Sequence, residues 1–87
     1  MDARIAIIGI IVENLDVTTK INDILHQHAQ YIIGRMGLPQ RDHGISIISV
    51  VVEAPQNIIS ALSGKLRMLP DVSTKTIYSK QLSIDEE

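Results

Sequence analysis

Residues 5–12 read Ile-Ala-Ile-Ile-Gly-Ile-Ile-Val, and residues 45–54 read Ile-Ser-Ile-Ile-Ser-Val-Val-Val-Glu-Ala. Both runs are dominated by β-branched side chains, which favour strands. An antiparallel sheet with one face in water alternates apolar and polar side chains along each strand. The two runs do not alternate, because apolar residues stand at odd and even positions alike. They therefore predict two strands, 4–13 and 45–54, that are covered on both faces.

A helix is predicted after each of these two strands. Apolar residues recur at helical spacing in each segment, which gives each helix one apolar stripe. In the first helix the stripe is Val17, Ile21, Ile24, Leu25 and His28, and Asp16 or Thr18 is the expected cap. In the second, which Pro55 opens and Pro70 ends, the stripe is Ile59, Leu62, Leu66 and Leu69.

Two further strands complete the pattern, at 31–38 and 72–79. A turn at 39–44 follows the earlier one, and Gly44 is expected to take a positive φ there. The order βαββαβ predicts an α+β, ferredoxin-like (ACT-like) sandwich, a four-stranded antiparallel sheet with two helices on one face. Residues 1–80 are predicted to form this single domain, and residues 81–87 an acidic C-terminal tail.

Both faces of the two central strands are apolar. The set on one face is Ala6, Ile8, Ile10, Val12, Ile48, Val50 and Val52, and the set on the other is Ile5, Ile7, Ile11, Ile45, Ile47 and Val51. Two helices cover only one face of a sheet, and no further element is predicted. A second copy of the same sheet is the simplest cover for the other face. We therefore expect a homodimer or homotetramer formed through the open sheet face.

Composition limits the function. The 87 residues carry eight basic and ten acidic side chains, a formal charge of −2, with no basic face of the kind that contacts nucleic acid phosphates. The absence of cysteine excludes disulfides, Cys-ligated metals and a thiol nucleophile. Residues 5–12 are too short to span a bilayer and lack a signal-peptide cleavage site. No direct contact with nucleic acid or membrane is expected, and the cytoplasm is the expected location.

Three histidines are the candidates for metal binding. His26 and His28 lie on one predicted helix, where side chains two residues apart diverge, so His28 is expected to pack and His26 to face solvent. A site that combines His26, His28 and His43 across subunits is the alternative. Packing is favoured, so neither a metal nor another cofactor is predicted.

No catalytic residues are predicted. Ser63-Gly64-Lys65 resembles the end of a phosphate loop, but Ile59 occupies the position of its upstream glycine and the segment lies in a helix. Gly64 is expected to allow close packing of that turn against the sheet or a partner. No serine or carboxylate stands in a context typical of a nucleophile or a general base. The chain is therefore predicted not to be an enzyme.

The remaining polar candidates would bind an anionic effector. They are Arg35, Arg41, Ser63, Lys65 and Lys75, which stand on or near the second strand, its turn, the second helix and the fourth strand. Cations and hydroxyls of this kind suit a small anionic metabolite or acidic groups of another subunit.

Four segments resemble a known family. They are Tyr31-Ile-Ile-Gly-Arg-Met-Gly-Leu-Pro, Gly44-Ile-Ser-Ile-Ile-Ser-Val-Val-Val, Ser60-Ala-Leu-Ser-Gly-Lys-Leu and Val72-Ser-Thr-Lys-Thr. In that order, over residues 3 to about 80, the chain is similar to the small regulators assigned to the iron-only hydrogenase system of anaerobic bacteria. The resemblance implies an ACT-like ferredoxin fold, similar to the ligand-binding domain of the nickel-responsive repressor, and an oligomeric regulatory domain.

The predicted function is therefore a non-enzymatic, oligomeric, effector-binding regulatory protein of the iron-only hydrogenase system. Two alternatives stay open at this point. One is a metal-binding protein that uses interface histidines, and the other is a structural assembly partner without a ligand.

Overall fold

Four strands and two α-helices follow one another in the predicted order in a computed structural model, which describes residues 3–82. The elements are β1 (Arg4–Val12), α1 (Thr18–Gln27), β2 (Ile32–Gln40), β3 (Ile45–Ala54), α2 (Gln56–Arg67) and β4 (Val72–Leu82). Short 3₁₀ turns precede α1 at Leu15–Val17, precede β2 at Ala29–Tyr31 and precede β3 at Arg41–His43.

The sheet has the order β2-β3-β1-β4, and all neighbouring strands are antiparallel. This is the ferredoxin-like arrangement, with β1 and β3 in the centre, so the predicted fold class is confirmed. β2 and β4 are the two edge strands. Register shifts at Ile32/Gly34 and Arg4/Ala6 interrupt the β2–β3 and β1–β4 ladders.

The core lies between the sheet and the helices. The even-numbered residues from Ala6 to Val12 of β1 and from Ser46 to Ala54 of β3 face the helices and are buried. Also buried are Ile21 and Leu25 of α1 and the α2 stripe Ile59, Leu62 and Leu66. Burying one such Ile or Leu side chain contributes about 1.5–3 kcal/mol. The predicted helix-facing set is therefore the core of the domain.

Some predicted boundaries were wrong. Asn14 caps the 3₁₀ turn that leads into α1, since its side-chain oxygen accepts a bond from the Asp16 backbone N–H at 3.0 Å. The N-cap residue of α1 itself is Val17, which makes no side-chain cap bond, so neither Asp16 nor Thr18 is the cap. β2 continues to Gln40, two residues further than predicted, because an edge strand tolerates Pro39. β4 continues to Leu82, beyond the predicted end at Ser79. Residues 83–87 of the predicted acidic tail lie outside the described residues.

Of the two predictions made for glycines, the one for Gly44 is confirmed and the one for Gly64 is wrong within the subunit. Gly44 has a φ of +66°, as predicted. A Cβ placed on Gly64 would meet nothing within 4 Å, so this glycine does not allow close packing of α2 against the sheet of its own subunit. Within residues 3–82, no helix is both long and apolar enough to cross a membrane.

Candidate functional site

A polar cleft runs between α2 and the edge strand β4. We call it the hydroxyl cleft, because five hydroxyl groups line it. Ser60, Ser63 and Arg67 of α2 form one wall, and Thr74, Lys75, Thr76 and Tyr78 of β4 form the other. Its volume is about 340 Å³, at the lower end of the range for small-molecule sites.

The two elements place these side chains for different reasons. On β4, alternate residues point to opposite faces, so Thr74, Thr76 and Tyr78 face α2 while Ser73, Lys75 and Ile77 face the other way. On α2, Ser63 interrupts the apolar stripe and is buried beside Leu62 and Leu66. A polar wall thus stands where the rest of the helix–sheet contact is apolar.

Hydrogen bonds between hydroxyls span the cleft. Thr76 Oγ1 donates to Ser63 Oγ at 3.3 Å, and the hydroxyls of Ser60 and Tyr78 are 3.4 Å apart. Both distances exceed the usual 2.5–3.0 Å range for O–H···O bonds. These contacts are weak, and the hydroxyls keep capacity for a stronger partner.

Thr74 carries an unsatisfied polar atom. Its Oγ1 is shielded from solvent and has no hydrogen-bond partner among the described residues. Leaving a buried hydroxyl unpaired costs about 1–3 kcal/mol. A polar group that entered the cleft and reached this atom would recover part of that cost.

The second candidate surface is the open face, the side of the sheet opposite the helices. The strand register arranges it in rows. Val51, Ile7 and Ile77 form one apolar row, and Leu38, Ile47 and Ile11 form another. Between them runs a lower row of Met36, Ser49, Gly9 and Lys75, with a cavity of about 380 Å³ beside Gly9.

The five predicted ligand-binding residues do not form one site. Ser63 lines the hydroxyl cleft, and Lys75 borders it but points its side chain to the open face. Lys65 is exposed on α2 outside the cleft. Arg35 lies at the opposite edge of the sheet, where its guanidinium donates to Asn22 Oδ1 of α1 at 3.0 Å. Two intervening strands put β2 and β4 about 14 Å apart, so Arg35 and Ser63 cannot hold the same small ligand. The Arg41 side chain lies outside the described residues.

Arg35 instead lines a separate cavity of about 490 Å³ between α1 and β2, together with His26. His28 is buried, and its Nδ1 lies 2.8 Å from the Ile24 carbonyl oxygen, while His26 and His43 are exposed. Across the described range 3–82, no three His, Asp or Glu side chains come together as metal ligands would. One subunit therefore gives no support to the histidine alternative.

Sequence reasoning missed Ser60, Arg67, Thr74, Thr76 and Tyr78 as site residues. The signal was present on β4, whose hydroxyl residues recur at a spacing of two on the strand face that packs toward α2. The serine inside the α2 apolar stripe was the matching signal on the helix.

Comparison with known proteins agrees with this fold. The TM1266-like family model, described as "Iron-only hydrogenase system regulator, putative", matches residues 4–76. The solved structure of the uncharacterized protein TM1266 from Thermotoga maritima is similar, with a TM-score of 0.85 and 33% sequence identity. That match covers 90% of this chain and 99% of the other. Among curated proteins the comparison finds no match. The chain therefore belongs to the TM1266-like family.

Proposed function

We propose that this protein is a cytoplasmic, non-enzymatic regulatory module of the iron-only hydrogenase system. It associates with itself through the open face and binds a small effector beside that interface. Family membership supports the regulatory role. The observation that carries self-association is the uncovered apolar surface of the open face.

The apolar side chains of the open face are numerous and contiguous. Ile77 is 68% exposed and Ile7 is 44% exposed, and Ile5, Ile11, Met36, Leu38 and Ile47 are exposed as well. Single exposed apolar residues are common on monomers, but contiguous patches of this kind mark interaction sites. Neighbours in the strand register pack side by side here, so the exposure is one patch.

The dimensions fit a second copy. Four strands about 4.8 Å apart, each about nine residues long, present a face of roughly 600 Å² before side-chain relief is added. Stable interfaces bury about 800 Å² on each partner. Two such faces packed across a twofold axis would bury equivalent residues on both copies. The occupant that we propose is accordingly a second copy of this chain.

β4 offers a route from effector to interface. Its alternate residues line the hydroxyl cleft on one side and the open face on the other, and Lys75 borders cavities on both sides. An effector that holds β4 in one position favours the subunit arrangement compatible with that position. Regulation then follows from differential affinity for two arrangements.

A non-enzymatic role has support in the hydroxyl contacts. The Ser60 and Ser63 hydroxyls bond other hydroxyls, and the buried imidazole nitrogen of His28 faces a backbone carbonyl oxygen. None of these contacts pairs a serine with a base, the arrangement that activates a serine nucleophile.

Charge placed on the open face tests the proposal. We expect Ile7→Lys and Ile77→Lys to convert the native oligomer to a monomer, because each would bury a lysine on both sides of a twofold interface. Native mass spectrometry and sedimentation give the subunit number, and circular dichroism checks the fold. Mass spectrometry of protein taken directly from cells also reports any retained effector.

Met68→Lys is the matched control. Met68 is 87% exposed but is the C-cap residue of α2 and belongs to none of the strands of the open face, so the same substitution there should leave the oligomer intact. A native protein that is monomeric at micromolar concentration would contradict the proposal. So would an oligomer that survives both open-face substitutions. An oligomer that carries no bound mass would favour an assembly partner over an effector-binding regulator.

A further inference from the structure

We propose that the hydroxyl cleft binds a small organic anion through a carboxylate or phosphate group, with Arg67 as its charged anchor. The inference rests on the proposed regulatory function and assigns its effector a site and a chemical class.

Charge sets the class of ligand. Arg67 places a cationic side chain in the lining of the cleft, and no carboxylate lines it. Lys75 also borders the cleft, but its side chain points to the open face. The chain as a whole is acidic, with a net charge of −2, so its average composition does not account for a cleft that holds a guanidinium and no carboxylate. A guanidinium offers a fixed fork of N–H donors that matches the paired oxygens of a carboxylate or phosphate. An anion is therefore the ligand that this lining favours.

The hydroxyls make the site selective for a polar ligand. Each hydroxyl both donates and accepts. Thr76 and Ser63 meet at 3.3 Å, and Ser60 and Tyr78 at 3.4 Å, so their mutual bonds are long enough to be exchanged for shorter bonds to oxyanion oxygens. Thr74 Oγ1, buried and without a partner in the described residues, adds a donor that an entering oxygen can use. Bonds to a charged acceptor are stronger than those between hydroxyls.

Size limits the ligand further. A cleft of about 340 Å³ holds a small metabolite and is too small for a dinucleotide. The cleft is also open to solvent, so a ligand enters without unfolding a helix. A small dicarboxylate or a short phosphate ester fits these limits.

Two probes test the class. Inorganic phosphate and succinate are titrated separately into the native full-length protein at constant ionic strength, with glycerol as the neutral control, and backbone amide shifts are followed by NMR. We expect saturable shifts that cluster in residues 60–67 and 73–78. Saturation by phosphate alone would assign a phosphate ester as the ligand, and saturation by succinate alone would assign a carboxylate. Saturation by neither anion up to tens of millimolar, or shifts that cluster elsewhere, overturns the proposal.

Substitutions locate the site. Arg67→Gln is expected to weaken binding of the active probe about 10- to 100-fold, the loss typical of one hydrogen bond to a charged group. Lys65→Gln removes the same charge from the same helix outside the cleft, and it should change affinity less than about twofold. Equal losses in the two variants would indicate nonspecific attraction and contradict the assignment.

Thr74→Val gives a result that a purely structural residue would not. Valine keeps the shape of threonine and removes the unpaired hydroxyl, so the unliganded protein should melt at a higher temperature while probe binding weakens. If Thr74→Val binds the probe like the native protein, Thr74 is not part of the site. Subunit number is measured on the same samples. Lost binding with an intact oligomer, or the reverse, shows which of the two proposals has failed.

Discussion

Gly44 is a residue whose backbone conformation favours glycine over any residue with a side chain. Its φ of +66° lies in the left-handed region, where a Cβ crowds the backbone. We expect Gly44→Ala to lower the free energy of unfolding by about 1 kcal/mol. Urea denaturation followed by circular dichroism measures this change.

Gly37→Ala is the control at the same scale. A Cβ on Gly37 meets nothing within 4 Å and its φ is not positive, so alanine there should be neutral or slightly stabilising. Equal losses at both positions would show that the sign of φ does not determine the cost. The positive φ at Gly44 was predictable from sequence because the glycine closes a turn between two strands. The unpaired hydroxyl of Thr74 was not predictable, because it depends on which side chains of α2 stand opposite.

At the scale of elements, the turn before α1 depends on Asn14. Its side chain accepts from the Asp16 N–H at 3.0 Å and donates to Asp71 Oδ2 at 3.4 Å, which joins the start of α1 to the start of β4. We expect Asn14→Ala to destabilise the protein by about 1 kcal/mol, the typical cost of losing such a cap. Thermal and urea unfolding measure the loss. Thr18→Ala, at the residue that sequence also offered as the cap, should cost little, and a larger loss there would contradict the assignment to Asn14.

Elements were predictable where periodicity is strong and less so at their ends. The apolar stripes of α1 and α2 and the apolar runs of β1 and β3 were enough to predict which segments are helices and which are strands. The spacing of buried residues differs between the two kinds of element. The end of β4 was misjudged, since polar residues on an edge strand resemble a loop in composition. The hydroxyl cleft was also missed, because a site between α2 and β4 depends on the register of two elements distant in sequence. Of the five candidate ligand residues, Ser63 lines that cleft with its side chain, and Lys75 borders it with its side chain on the open face.

At the scale of the whole molecule, Gly9 has no explanation within one subunit. It stands in the interior of the central strand β1, where glycine is destabilising by roughly 0.5–1 kcal/mol relative to alanine. Its φ is not positive, and an added Cβ would lie 3.8 Å from the Lys75 carbonyl oxygen, an ordinary contact. The subunit alone would therefore accept a larger residue. Glycine inside a strand often marks a place where another backbone or a ligand approaches closely.

Gly9→Val tests whether the approaching group is the second copy. Because β1 accepts the side chain, we expect the variant subunit to fold at least as stably as the native one. The valine would add bulk to the row between the two apolar rows. A twofold interface would contain two such valines, and each would cost about 1–3 kcal/mol as overpacking. The dimer dissociation constant, measured by sedimentation equilibrium, should therefore increase at least tenfold. An oligomer of unchanged affinity would show that the subunits do not meet closely at Gly9, and the Ile7 and Ile77 variants would then decide whether they meet on the open face at all.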